Sequence, residues 1–402
     1  MLKKKIEKCD IVLVLITIVF AIGITMFQKN HPNEVSLYNS STLSYVKAEV
    51  IQVVDDQTEM KEDGRYYGVQ VLSARILEGD FKNQEVSIDN YLSSTHNVRL
   101  YSGQNFIACI DHPDQADSLI TVYNYDRIPY IYAFIGVLIA LVILIGRSKG
   151  ARTVISLAFT FYAIVSLLLP MIFHGYSPAT STIFVIVLTI GYTLFMLNGN
   201  SLKTWVATFA TTIGVILSGV CFELIQNLIH ISGYNTDQAE ALILISQQTG
   251  LQINEILFAG ILISCLGAVM DVGMSISSSL FEIKTLNPKI TARQIFQSGI
   301  SIGKDMIGTM CNTLILAFTG SSMTTLVTFL AYSIQYQQLM NSDFIATEMI
   351  QGIAGTIGIV LTVPVGALLS AWIYTRFYQR KYPNEQRSDV NIPEIKEADR
   401  ES

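Results

Sequence analysis

The sequence predicts a mostly α-helical membrane protein. It has eight transmembrane helices, with a small extracytoplasmic β-barrel of the OB type between the first and second. Three observations carry that expectation. Only 14% of the 402 residues are charged and half are apolar, against about a quarter charged in ordinary soluble domains. From Ile128 to Tyr378, 251 residues hold nine Lys/Arg and nine Asp/Glu, so most charge lies elsewhere. The apolar runs in that stretch are also too long for core helices. A soluble enzyme, a secreted disulfide scaffold and a disordered chain are thereby excluded.

A bilayer core of about 30 Å needs about 20 apolar residues at helical rise. Runs of that kind occupy Ile11–Phe27, Ile128–Gly146, Thr153–Phe173, Thr182–Leu197, Thr204–Ile229, Ile256–Leu280, Met306–Tyr332 and Ile350–Tyr374. Lys3, Lys4, Lys5 and Lys8 precede the first run, as in a signal peptide. Its 17 apolar residues lack a small-x-small cleavage site, however, so it reads as an uncleaved anchor.

Orientation follows from the positive-inside rule. With the N-terminus inside, the cytoplasmic segments hold 18 of the 26 Lys/Arg, and the short external loops 174–181, 230–255 and 333–349 hold none. The other eight lie in 28–127, a segment long enough to be translocated whatever its charge. The expected layout is a plasma-membrane protein with both termini cytoplasmic. Residues 1–27 form a basic N-terminus and anchor, and 28–127 the external β domain. Residues 128–378 form a seven-helix membrane domain, and 379–402 a disordered cytoplasmic tail.

The net charge of −6 is uninformative here, because charge in a membrane protein is sorted by side rather than summed. No basic stripe interleaves with aromatics, so no nucleic-acid partner is expected. The five cysteines (Cys9, Cys109, Cys221, Cys265, Cys311) form no CxxC pair, and only Cys109 falls in the external segment. No intradomain disulfide is available there. The five histidines form no ligand-spaced cluster, so neither a metal nor a cofactor is expected.

In 28–127, candidate strands are Ser44–Val54, Tyr66–Leu77, Gln84–Asn90, Gln104–Ile110 and Leu119–Tyr125. Each alternates β-branched or aromatic residues with polar ones, and Asp63-Gly64, Gly79-Asp80, Ser102-Gly103 and His112-Pro113 supply turns between them. Five short strands suit a small OB-type barrel. Such a barrel often binds a ligand, although a spacer or docking surface is the plainer reading. Asp111, Asp114 and Asp117 lack the glycine and terminal glutamate of a calcium loop and read as a solvated turn.

Charged residues inside spans are expensive, so each needs a reason. Asp271 lies in the sixth span, too deep for its short side chain to reach the interface. Gly267, Asp271, Ser275 and Ser278 recur at helical spacing and share one face. In the seventh span Asp305 sits at the cytoplasmic mouth, and Thr309, Asn312 and Thr313 continue along that side. An acid in a first helical turn also simply offsets the macrodipole, and an interhelical hydrogen bond is the plainer role for Asn312. Gly320, Ser321 and Ser322 fall mid-span, where a small-residue break would make a discontinuous helix or a plain kink. Between these spans, Thr291 is an N-cap, and 292–302 reads as a helix lying flat at the headgroups. Glu223 lies near the external end of the fifth span, Pro170 and Pro364 read as kinks, and Gly352, Gly355 and Gly358 as a helix-contact face.

Two of these segments carry a resemblance. Gly267-Ala-Val-Met-Asp271-Val-Gly-Met-Ser-Ile-Ser277 and Gly303-Lys-Asp305-Met-Ile-Gly-Thr-Met-Cys-Asn312-Thr-Leu-Ile-Leu-Ala-Phe-Thr-Gly-Ser-Ser322 resemble the signature of the YibE/F-like membrane proteins. The resemblance extends over most of the chain, including the anchor and the external β segment. It implies a multi-pass membrane protein, at most a permease, of a family found mainly in Gram-positive bacteria. It supplies no substrate, cofactor or catalytic residue.

The leading expectation is therefore a transporter or permease component for an unidentified small solute or ion. Its polar path would run around Asp271, Ser275, Ser278, Asp305, Thr309, Asn312 and Thr313 between helices six and seven. The alternative is a non-transporting envelope scaffold or sensor acting through the external domain. Beyond the lipid bilayer, a second copy or a paired membrane protein of the same family is the expected partner. Enzymatic activity is not expected: no histidine lies within a span to serve a nucleophile, and no Walker A pattern appears.

Overall fold

Alternating burial along short strands builds the smaller of two units into which the chain divides in the computed structural model. The units are Glu34–Ile145, and Met1–Asn33 together with Gly146–Ser402. The structure describes residues 20–26, 29, 43–111, 118–231, 234 and 239–381.

The smaller unit contains β1 (Leu43–Asp56), β2 (Glu59–Met60), β3 (Tyr66–Ile76), β4 (Glu85–Leu92), β5 (Asn105–Asp111) and β6 (Leu119–Tyr125). The ladder is antiparallel throughout, in the order β2-β3-β1-β5-β6, with β4 on β3. The five expected strands correspond to β1, β3, β4, β5 and β6; β2 was not foreseen. Every second residue points inward, so Val46, Ala48, Val50, Leu72, Ala74, Ile76, Phe106, Ala108 and Ile110 form one core. Gly68, at φ 127°, is a position only glycine fills, because a Cβ there would overlap the carbonyl oxygen of Gln57.

The sheet is a half-barrel rather than the closed barrel expected, since no ladder joins β4 to β6. Val98 and Leu100, from the β4–β5 connection, are buried in its core. Two buried amides hold that connection: Asn90 Nδ2 donates to the Val98 carbonyl at 2.8 Å, and the Leu100 N–H donates to Gln70 Oε1 at 3.1 Å. Side chains thus satisfy backbone groups that a neighbouring strand would otherwise pair.

Helix α1 comprises the described residues 20–26. Next come α2 (Ile128–Ala163), whose first part belongs to the smaller unit, and α3 (Leu169–Phe173). The chain continues through α4 (Pro178–Asn198), α5 (Leu202–Ile229), α6 (Ala239–Thr249) and α7 (Ile256–Leu286). The last helices are α8 (Ala292–Ser321), α9 (Met323–Ala331), α10 (Tyr336–Met340) and α11 (Asp343–Lys381). Boundary residues explain several ends. Ser177 caps α4 with Pro178 just inside, Ser201 caps α5, and Thr291 with Gln294 forms a reciprocal capping box on α8. Ahead of Pro170 the helix widens into a π turn at Ile164–Leu168, because proline offers no N–H to the preceding turn. Pro364 lies inside α11, which continues past it.

In the larger unit α11 packs against α5, α7 and α8. Val206, Ala207, Val269, Ile276, Ile359 and Val363 lie at their common core. Small residues bring these helices close, as in lipid, where packing rather than water exclusion drives association. A Cβ on Gly273 would lie 2.6 Å from Thr211 Oγ1, and one on Gly358 would lie 2.8 Å from Ser218 Cβ. One on Gly355 would lie 2.6 Å from Leu314, in keeping with the helix-contact face read from the sequence.

Among the described residues, five helical runs are long and apolar enough to cross a membrane, or six if the bent pair α8 and α9 is one span. Eight were expected. Most of Ile11–Phe27 lies outside the described residues. Ile128–Phe173 counts as one 46-residue run, but Arg147 (φ 49°, ψ −126°) is not helical, so two helices meet there, in the gap between the two expected spans. The flat helix expected at 292–302 is also corrected. Those residues are the first turns of α8, where Ile295, Gly299 and Gly303 are buried, Gly299 and Gly303 against α11. Of the tail, residues 379–381 close α11 and the rest lies outside the described residues.

Candidate functional site

Helix α7 has two faces of different character. Cys265, Val269, Val272, Gly273, Ile276 and Leu280 recur at three- and four-residue spacing and are buried against the neighbouring helices. The opposite face carries Gly260, Ser264, Gly267, Asp271 and Ser275, all exposed, with Ser278 half-buried. A Cβ on Gly267 would meet nothing within 4 Å. The Asp271 side chain therefore points away from the helix bundle. Among the described residues it has no hydrogen-bond or ion-pair partner, and neither has Ser275 or Ser278.

Helix α8 presents a similar outer surface. Asp305, Thr309, Asn312 and Thr313 are exposed, and Gly308 has open space where a side chain would be. Thr309 Oγ1 donates to the Met306 carbonyl at 3.0 Å, and Thr313 Oγ1 to the Thr309 carbonyl at 2.9 Å, so both hydroxyls remain free to accept. The register between α7 and α8 can be read from shared neighbours. Gly299 adjoins Leu280, and Leu314 and Cys265 both adjoin Gly355. The helices run antiparallel, and equal steps along each place Asp271 level with Gly308, between Asp305 and Asn312. Asp305, expected at a cytoplasmic mouth, is level with Met274 of α7 on this register. Because α8 begins at Ala292, Asp305 lies about 20 Å along it at 1.5 Å per residue. On this register the predicted polar residues are spread over about 18 Å of helix length, from Ser278 at one end to Thr313 at the other, with no hydrogen bond joining the two helices' stripes among the described residues.

At its far end α8 stops at Ser321. Ser322 separates it from α9, and the two helix axes differ by 57°. The Phe318 carbonyl accepts from Ser321 Oγ at 2.7 Å, Ser322 Oγ at 3.0 Å and the Ser322 N–H at 3.1 Å, so the serines satisfy backbone freed by the bend. Gly320 and Ser321 are exposed, whereas Ser322 is buried. Glu348, on α11, lines a cleft beside this bend, and its Oε2 is buried with no donor among the described residues. Sequence reasoning passed over Glu348 because it falls in an expected external loop. The available signal was charge: no Lys, Arg or His occurs between Lys304 and Arg376.

Glu255 is a second functional-looking acid that proves to be a fastener. Its Oε2 accepts from Ser177 Oγ at 2.5 Å and from the Ala179 N–H at 3.0 Å, capping α4. Glu223 is exposed on α5, without a partner among the described residues. No group of three or more His, Cys, Asp or Glu among the described residues is placed to hold a metal.

A family model described as YibE/F-like protein matches residues 134–376. The chain belongs to the YibE/F-like family. With several helices apolar enough to span a bilayer, it is a membrane protein. The matched region runs from within α2 to within α11 and contains both outward polar stripes and the bend. It leaves out the β domain and the N-terminal segment, so it is narrower than the resemblance read from the sequence. No curated protein and no solved structure gives a significant match to this YibE/F-like chain.

Proposed function

We propose that this YibE/F-like protein is a transporter or permease component of the plasma membrane, whose solute path follows the outward faces of α7 and α8 at Asp271. One observation carries the reading: a carboxyl in the interior of an apolar helix, exposed and without a donor among the described residues. Placed in hydrocarbon, such a group costs about 3 kcal/mol or more on insertion scales. A side chain kept at that cost needs water, a cation or a covering protein beside it. A second copy of the chain, or a paired member of the family, would close the path over Gly267, Ser275, Thr309 and Asn312.

The topology that suits this function has eight spans and both termini cytoplasmic. A 46-residue run is about 69 Å long at 1.5 Å per residue, more than twice the hydrocarbon thickness, so Ile128–Phe173 makes two spans around Arg147, Lys149 and Arg152. The β domain then lies outside, as a partly open barrel of the OB class.

The test is flux in proteoliposomes loaded with a pH-sensitive dye. Asp271→Asn keeps the size and removes the charge, and is expected to abolish proton-coupled flux while the protein still reconstitutes. Unchanged flux with unchanged pH dependence removes the proposed role. A second reading, an envelope sensor or scaffold, draws support from the exposed aromatics of the β domain: Tyr45 and Tyr123, in edge contact at 4.8 Å, with Tyr91 and Tyr101. Deleting 43–125 decides between them, since loss of phenotype with intact flux favours the sensor.

A further inference from the structure

The cleft at the α8–α9 bend has a volume of about 270 Å³ and is lined mainly by apolar side chains, among them Ile315, Phe318, Leu326, Leu339 and Met349. Glu348 is its one charged lining residue. Its Oε2 is buried and accepts no hydrogen bond, an arrangement that native structures rarely leave unmet. The two hydroxyls in the wall do not meet it. Thr319 Oγ1 donates to the Ile315 carbonyl at 2.8 Å, and Ser322 Oγ to the Phe318 carbonyl at 3.0 Å.

No cation within this part of the chain can serve either. The 71 residues between Lys304 and Arg376 contain no Lys, Arg or His, and they supply every residue of the cleft. Lys304, the nearer basic residue along α8, is eleven residues from Ile315, about 16 Å at helical rise. Among the described residues no donor reaches this oxygen, and the apolar wall states what a donor entering the cleft would carry with it.

We propose that this cleft binds a lipophilic ammonium compound, with the aliphatic part against Ile315, Phe318 and Leu326 and the N–H groups donating to Glu348. A cleft of about 270 Å³ has room for a medium-length alkyl chain with its head group, and an eight-carbon primary amine is a probe of that class. A neutral lipid chain would fill the same walls but leave the carboxyl oxygen bare. The site is separate from the proposed path at Asp271 and does not depend on it.

The probe is octylamine carrying a mid-chain diazirine, with the matching octanol as the neutral control. Each is photolysed with the full-length protein in lipid nanodiscs, and the labelled peptides are mapped. The amine is expected to label within 315–326 or 339–353 at about ten times the yield of the alcohol, the contribution expected of a hydrogen bond to a charged group. Glu348→Gln is expected to bring the amine down to the alcohol's yield and leave the alcohol unchanged. Equal labelling by both probes, or amine labelling insensitive to Glu348→Gln, overturns the proposal and leaves a groove for lipid tails. Labelling confined to other segments overturns it as well.

If Glu348→Gln does not fold, Gly352→Val decides. Gly352 lines the cleft, and a Cβ there meets only Phe318, at 3.6 Å. The valine should fill the cleft and suppress amine labelling with Glu348 intact; undiminished labelling again overturns the proposal.

Discussion

Gly299→Ala adds one methyl group at the closest approach of α8 to α11. A Cβ there would lie 2.7 Å from Ala367 Cβ, 2.9 Å from Leu280 Cδ1 and 3.2 Å from Ala367 Cα. Carbon pairs are comfortable at about 3.5–4.0 Å, so the first contact is short by about 1 Å. Leu280 can turn its methyl aside, but Ala367 Cβ is fixed to the α11 backbone, and relief requires the two helices to part. Overpacking costs about 1–3 kcal/mol, and with Ala367 Cβ unable to turn aside the upper part of that range, about 2–3, applies. Alanine's better helix propensity returns about 1 kcal/mol. The expected net loss is about 1–2 kcal/mol, read from reversible unfolding of the purified protein in mixed micelles under rising SDS.

Two companions sharpen the measurement. Gly308→Ala, in the same helix, meets nothing within 4 Å and should gain up to about 1 kcal/mol. Ala367→Gly should rescue Gly299→Ala, with a coupling of about 1 kcal/mol or more in the double-mutant cycle. If Gly299→Ala is as stable as the parent, or the two substitutions add independently, α8 does not sit on α11 as described.

Three further outcomes follow from local geometry. Burial pushes the Asp56 carboxyl up, but hydrogen bonds from Thr58, Arg99 and Gln70 outweigh it and hold the group down at about 2 against an ordinary 3.8. A depressed carboxylate pKa contributes stability that is present above about pH 4 and lost as pH falls towards 2. After allowance for solvent screening this amounts to roughly 1 kcal/mol. Guanidinium melts of the excised β domain at pH 5 and pH 2.5 should show that loss, and Asp56→Asn should flatten it. Glu255→Ala removes the acceptor for Ser177 Oγ and the Ala179 N–H, and should cost about 1 kcal/mol in the same SDS titration; no loss would mean Ser177 alone caps α4. Single cysteines at Asn200 and Tyr176, on a background with the native thiols replaced, should react with an impermeant maleimide from the cytoplasmic and external faces respectively. Labelling of both from one side would discard the eight-span orientation.

The β strands were legible because a sheet buried on one face alternates visibly, as in Val46-Lys47-Ala48-Glu49-Val50, whose apolar members are buried. The barrel's failure to close was not legible, since it turns on Gln70 and Asn90 reaching the backbone of a connection far along the chain. In the helices, lipid and protein core reward the same apolar side chains, so composition does not tell an inward face from an outward one. Both sides of α7 carry glycine and serine. Ser277 is buried, bonded to the Lys203 carbonyl at 2.7 Å and to the Tyr374 hydroxyl at 2.7 Å, whereas Ser275, two residues earlier, is exposed beside Asp271.

Hydropathy also started the seventh span at Met306 and so put Asp305 at an interface. The capping box at Thr291 and Gln294, itself readable, is what places Asp305 deep along α8. Its signal lost to the amphipathic look of Ile295, Phe296, Ile300 and Ile302. Glu348 was hidden for the opposite reason: its meaning lies in what the surrounding sequence lacks. A lone acid is unremarkable in a loop, but between Lys304 and Arg376 there is no base to neutralise it, and the bend at Ser322 builds apolar walls around it. Asp271 and Glu348 are thus the same physical problem at two places, a carboxyl without a cation beside it among the described residues. The first lies open on an outer face and asks for a covering surface or a wet path; the second lies in a cleft whose apolar walls call for an aliphatic partner.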